Sequence, residues 1–233
     1  MAVKLPKALL KQLDELMRRL RSDSPENRAM ATSRLIGYEQ SGKIPLELLL
    51  QMAGDSDVNY AMYAITALGR SGKPEAVDKL IELVSSHRDG NPLFLETVIE
   101  ALAESGAKDA VPTLLQLIGI TAPGKNRFLS RITRRKDVPD QAEERFRDSM
   151  VLPVTRALEK IGDADSAPLI EGYLSHEDPL VRCHTIRVLI NAGFTDSIER
   201  LKQIAQSDPD RLVQELAAIA LDKLAPQPGN LNN

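Results

Sequence analysis

Apolar residues recur along this chain at intervals of three and four. Leu9, Leu13, Leu16 and Leu20 make one such set; Val77, Leu80, Ile81 and Val84 a second; Val111, Leu114, Leu115 and Ile118 a third; Ile198, Leu201 and Ile204 a fourth. That spacing follows the 3.6-residue period of a helix with one buried face. Between these segments lies another series of helical stretches anchored on Leu35, Leu68, Leu102, Leu158, Leu189 and Leu221, with steps of 33, 34, 56, 31 and 32 residues. Four of the five steps share one period, and a self-similarity of about 30 to 50 residues predicts stacked helix hairpins rather than a closed globule. Four residues before each leucine stands Ala31, Ala64, Val98, Val154, Thr185 or Ala217, a small or β-branched residue that lets neighbouring helices approach.

Turns punctuate the period. Ser71-Gly72-Lys73-Pro74-Glu75, Ser105-Gly106-Ala107-Lys108-Asp109, Ile161-Gly162-Asp163-Ala164-Asp165 and Ala192-Gly193-Phe194-Thr195-Asp196 each place an acid shortly after a glycine, and Ser41-Gly42-Lys43 is a shorter form without the acid. The glycine is expected to end a helix in the left-handed conformation, and the acid to open the next helix at its N-cap. Pro153 falls inside the fourth second-helix, where it should kink or delay it. The first helix, with Lys4, Lys7, Lys11, Arg18, Arg19 and Arg21 among its leucines, suits a polar end cap.

The breaks between the helices of a pair carry a further pattern. Asp178-Pro179-Leu180-Val181-Arg182 and Asp208-Pro209, with Ser24-Pro25-Glu26-Asn27-Arg28 and Asn91-Pro92 as looser forms, resemble HEAT repeats of the short bacterial, phycobilisome-lyase HEAT-like kind. The resemblance covers about residues 5 to 225. It implies an all-α, right-handed α-α superhelix of about six helix pairs and a single repeat domain over 1–225; the residues Pro226-Gln227-Pro228-Gly229-Asn230 read as the start of a disordered tail at 226–233. Val58 departs from the pattern where proline is usual, and Arg182 has a clear counterpart only at Arg28. The motif specifies stacking and capping, so it speaks to fold far more than to activity.

Composition narrows the rest. Among 233 residues, aromatics are 3% and tryptophan is absent, so the core must be aliphatic. A formal charge of -3 argues against a surface built to coat nucleic acid. The lone Cys183 allows no internal disulfide, and the start Met1-Ala2-Val3-Lys4-Leu5-Pro6 has no apolar leader run, so the expected address is the cytoplasm.

One local feature exceeds what stacking needs. The 56-residue step points to an insertion at about 120–145. Between 122 and 136 it holds six cations (Lys125, Arg127, Arg131, Arg134, Arg135, Lys136) and no acid, leaving -9 on the rest of a chain whose total is -3. If 125–136 is helical, Phe128 and Ile132 share a face with arginines on its flanks. Such a segment suits an acidic protein partner, with guanidinium–carboxylate contacts; a solvated insertion without a role is the plainer alternative. The expected partner contact combines Arg127, Phe128, Arg131, Arg134, Arg135 and Lys136 with Tyr63, Arg28 and His184 on the inner surface of the second helices.

Catalytic and metal patterns are weak. His87, His176 and His184 lack metal-site spacing, and Cys183 and His184, adjacent on a helix, diverge by about 100°. No catalytic residue, metal or cofactor is assigned. A HEAT enzyme that hydroxylates deoxyhypusine would need His-Glu pairs in several repeats, whereas only His176-Glu177 occurs. The favoured function is a noncatalytic protein-binding scaffold or adaptor. The alternatives are an accessory protein resembling the phycobilin lyases, which would hold a tetrapyrrole, and a DNA-binding protein similar to the alkylpurine glycosylases, which the absence of tryptophan and the negative charge disfavour.

Overall fold

The structure, a computed structural model, describes residues 6–86, 91–120 and 140–225. Twelve α-helices and no strand occur among the described residues. They form six pairs: α1 (Lys7–Leu20) with α2 (Pro25–Gln40), α3 (Leu46–Met52) with α4 (Val58–Ser71), α5 (Pro74–Ser86) with α6 (Pro92–Ser105), α7 (Val111–Leu117) with α8 (Asp140–Ile161), α9 (Ala167–Ile170) with α10 (Pro179–Ala192), and α11 (Ile198–Ser207) with α12 (Arg211–Leu224). The chain divides into two compact units, Met1–Ser105 and Gly106–Asn233, with three pairs in each.

In the first unit α2, α4 and α6 are neighbours in that order; in the second, α8, α10 and α12 are. Their shared contacts follow the predicted register. Leu35, Leu68, Leu102, Leu158 and Leu189 are fully buried, as are all six residues four positions earlier, from Ala31 to Ala217. Leu221 is the exception. It is only half-buried, because Ala217, Ala220 and Leu224 already carry the inward face of α12. Contact between α4 and α6 is closest at Gly69, where a Cβ would lie 2.6 Å from the Ala101 carbonyl oxygen, so only glycine fits without moving a backbone.

The glycine turns behave as expected: Gly193, at φ 63°, closes α10, and its N–H bonds the Ile190 carbonyl. Three of the acids that follow do not cap. Asp109, Asp165 and Asp196 each occupy the middle of a three-residue 3-10 turn that leads into the next first-helix, and no side-chain cap bond forms at those turns. Side-chain caps open the second helices instead. Ser24, Asp57, Asp178 and Asp210 accept from the amides of Asn27, Tyr60, Leu180 and Leu212 at 2.8–3.3 Å.

Helix α8 overlaps the end of the expected insertion at 120–145. Every other second helix begins ten residues before its anchor leucine, whereas α8 begins at Asp140, eighteen residues before Leu158. The last residues of the 120–145 interval are therefore helix, continuous with the repeat. Nor does Pro153 delay it, since the helix starts well upstream and runs through the proline. The basic stretch itself and the tail 226–233 lie outside the described residues.

The register is testable by truncation. Leu102→Ala should cost about 2 to 5 kcal/mol by opening a cavity between α4 and α6, and Leu221→Ala clearly less, because its side chain is part solvated. Urea unfolding of both variants checks this, and equal losses would mean that the register is misassigned.

Candidate functional site

A repeated device in the turns between paired helices accounts for several residues that looked functional. Two positions before each side-chain cap, a side chain accepts the N–H of the capping residue. Ser22 Oγ does so for Ser24 at 3.2 Å, Asp55 Oδ1 for Asp57 at 2.9 Å, His176 Nδ1 for Asp178 at 3.0 Å, and Asp208 Oδ1 for Asp210 at 2.9 Å. His176 thus does the work of an aspartate, and its ring sits 6.0 Å from that of Tyr173.

A long side chain from the second helix then ties the turn down. Arg28 Nη1 donates to the Ser22 and Asp23 carbonyls at 2.8 and 2.9 Å; Arg182 Nη1 donates to the His176 and Glu177 carbonyls at 2.7 and 2.9 Å. Gln214, at the same register position, reaches the Asp208 carbonyl at 2.6 Å. Arg28, expected to meet a partner, is therefore a turn clamp. Arg182 goes further and bridges to the next pair, with Nη2 2.7 Å from Asp208 Oδ1 and side chains only 7% and 6% exposed.

Tyr63 also differs from expectation. It is 6% exposed, and its hydroxyl is buried with no hydrogen-bond partner among the described residues, so it lies in the interior rather than along a surface. Burial pushes the phenol well above its ordinary range, with Glu39 adding to the shift and Arg70 opposing it. His184 stays near the surface, half-buried, with Nδ1 2.5 Å from Glu159 Oε2 of α8. Cys183 beside it is buried, and desolvation raises its thiol, which opposes thiolate chemistry. Arg127, Phe128, Arg131, Arg134, Arg135 and Lys136 lie outside the described residues; of the expected contact residues that can be placed, Tyr63 and Arg28 belong to the first unit and His184 to the second.

Superposing the second helices on their leucines exposes what the sequence reading missed. Nine positions before the leucine stand Ser149, Leu180 and Leu212; five before, Pro153, His184 and Leu216; two before, Arg156, Arg187 and Ile219; two after, Lys160, Asn191 and Lys223. These positions point away from the buried stripe. Leu180 is 50% exposed, Leu212 54% and Ile219 49%, and Arg156, Lys160 and Lys223 are exposed too. The rows are legible in the alignment of repeats, where Leu180 and Leu212 share one position before the anchor leucine.

In the other unit, α1 and α2 border an open cleft of about 780 Å3 lined by Lys11, Gln12, Glu15, Arg19, Arg34 and Tyr38, among others. Tyr38 donates to Gln12 across it at 3.1 Å. Hydrogen bonds from Arg19 and Arg18 hold the Glu15 carboxyl below its ordinary range, so two of the cations there are already engaged within α1. Among the described residues no three His, Cys, Asp or Glu side chains converge on a metal position, and no helix is long and apolar enough to cross a membrane.

With this geometry in place, the comparisons with known proteins are direct. The description "HEAT repeats" matches residues 13–89, 46–127 and 153–222, and the chain belongs to that family; its fold is the all-α, HEAT-like helical repeat. No curated protein sequence matches it. Among solved structures, it is similar to the complex of CpcE and CpcF of phycocyanin lyase from Nostoc sp. PCC7120, with 21% identity, TM-score 0.53, and 88% of this chain and 74% of that chain covered. It also resembles human deoxyhypusine hydroxylase, at 16% identity, TM-score 0.36 and coverage of 93% and 97%. An engineered protein matches at 18% identity, TM-score 0.48 and coverage of 91% and 96%. At these identities the first likeness shows fold alone, and the other two carry no argument.

Two substitutions separate structural from functional readings. Asp208→Ala should cost about 3 to 5 kcal/mol, because it leaves the Arg182 charge buried without its carboxylate. Tyr63→Phe should leave stability unchanged or raise it, since it removes a hydroxyl that makes no bond. Thermal and denaturant melting measure both; a large loss for Tyr63→Phe would mean that the hydroxyl has a partner.

Proposed function

We propose that this protein is a noncatalytic, cytoplasmic binding scaffold that holds another protein on the solvent face of its second helices. The observation that carries this reading is the exposure of Leu180 and Leu212 at one register position of adjacent helices, a position where stacking makes no demand for an apolar side chain. The basic stretch from Lys125 to Lys136 extends the same reading and gives the partner its expected acidic character. His184 borders this face, whereas Tyr63 and Arg28 are taken up by the fold.

Chemistry of other kinds finds little support in the residues. His176 is engaged in a turn and His184 in a contact with Glu159, and the one thiol, Cys183, is buried. The phycocyanin lyase structure is a complex of two chains, and that likeness supports protein association by this fold without extending to pigment handling.

Affinity capture from cell extract tests the proposal. The intact chain should retain a specific protein, and Arg134→Glu with Arg135→Glu should abolish that capture while helical content and melting stay unchanged. Capture indifferent to the double charge reversal would remove the basic stretch from the interface, and a coloured preparation would favour a pigment-handling role instead.

A further inference from the structure

We infer that the face shared by α10 and α12 docks an amphipathic helix of the partner, one whose apolar stripe ends in carboxylates. The inference rests on the scaffold reading and specifies its occupant. On α12, Leu212, Leu216 and Ile219 fall at i, i+4 and i+7, the spacing at which one helix meets the apolar stripe of another. Leu180 of α10 flanks them at the matching first-turn position. Toward the other end of the same face the character changes: Arg187 of α10 and Lys223 of α12 replace the leucines.

The charge at that end is a property of this unit and not of the repeat. Where α4 and α6 carry Thr66 and Glu100 two positions before the leucine, and Arg70 and Glu104 two positions after, α8 and α10 carry Arg156 and Arg187 before it, and α8 and α12 carry Lys160 and Lys223 after it. Arg187 is only loosely engaged. Its guanidinium lies 3.7 Å from Glu159 Oε1, beyond hydrogen-bond length, while His184 holds the other oxygen of that carboxylate at 2.5 Å. A partner carboxylate can therefore approach Arg187 without displacing a tight pair.

Charge and apolar area together select the occupant. A phosphate backbone would satisfy the cations and leave Leu180, Leu212 and Ile219 in water, and a wholly apolar segment would bury Arg187 and Lys223 without partners. A helix with leucines along one half of its stripe and glutamates along the other meets both ends of the face.

Two fluorescein-labelled, helix-forming synthetic peptides provide the test. Both carry leucines at i, i+4 and i+7; the following turn bears glutamates in one and lysines in the other. By anisotropy at low salt, the intact chain should bind the glutamate peptide about tenfold or more tightly than the lysine peptide, with the gap closing as salt rises. Leu212→Glu should lose that binding, and Arg187→Glu should narrow or reverse the preference, with circular dichroism and melting of both variants unchanged. Equal affinity for the two peptides, no binding of the glutamate peptide, or indifference to Leu212→Glu would overturn the inference. So would sedimentation showing that the intact chain pairs with itself through this face and that Leu212→Glu dissolves the pair. Capture lost on Arg134→Glu with Arg135→Glu but unaffected by Leu212→Glu would keep the scaffold and remove this face; no specific capture by the intact chain would remove the scaffold itself.

Discussion

Close approach of the second helices is the constraint from which the other features follow. It is set at two places along each helix: the anchor leucine, and the residue four positions before it, which is fully buried in all six repeats whether it is Ala31, Val98 or Thr185. Side chains of that size let helix axes come together at the short end of the ordinary 8–10 Å range. At Gly69 the approach is so close that the α6 backbone occupies the place of a Cβ. Once these two rows are fixed, the rotation of each second helix is fixed, and so are the positions that must face solvent. Stacking therefore defines the outward rows without specifying their chemistry, which leaves those rows free to carry recognition.

Polar groups obey the same economy. A hairpin turn exposes the last carbonyls of one helix and the first amides of the next, and these need partners when the hairpins are packed. The chain meets the need with a short acceptor before the cap and a long donor from the following helix, using Ser22 with Arg28 in one repeat and His176 with Arg182 in another. Arg182 spans to Asp208 of the next turn, so one side chain serves its own hairpin and the junction beyond it. A histidine, two arginines and an aspartate thereby acquire a structural reason for being where they are.

The helical period, the six pairs and the inward leucines could be read from sequence because burial imposes a strict spacing and tolerates few residue types. Leu221 departs from the pattern because Ala217, Ala220 and Leu224 carry the buried face of α12. Tyr63 and Arg28 stand at register positions whose residues vary widely, and variety looks like surface. At Tyr63 one helix buries a ring at a position that reaches solvent at Met30, His184 and Leu216, and at Arg28 the variety marks a clamp that only some repeats use. The acids after the glycine turns were assigned as caps on residue type alone, and the 3-10 turns that displace them leave no mark in composition. The start of α8 leaves no mark in the period, because its first turns precede the point at which the other second helices begin.

Leu93 of α6 is 57% exposed at the register position of Leu180 and Leu212, so what distinguishes the outward rows of the second unit is the continuation of that apolar position into a row that ends in cations. Single exposed leucines are common on protein surfaces and need no explanation. Leu180 and Leu212, however, recur at the same place on adjacent helices, Leu216 and Ile219 continue the row along α12, and the row passes into Arg187 and Lys223 rather than into mixed polar residues. Exposed apolar side chains contribute nothing to stacking and raise the hazard of nonspecific association, so stability alone gives no reason for such a gradient. A partner with the complementary gradient does: its apolar half removes the leucines from water, and its carboxylates meet cations that the fold leaves only loosely paired.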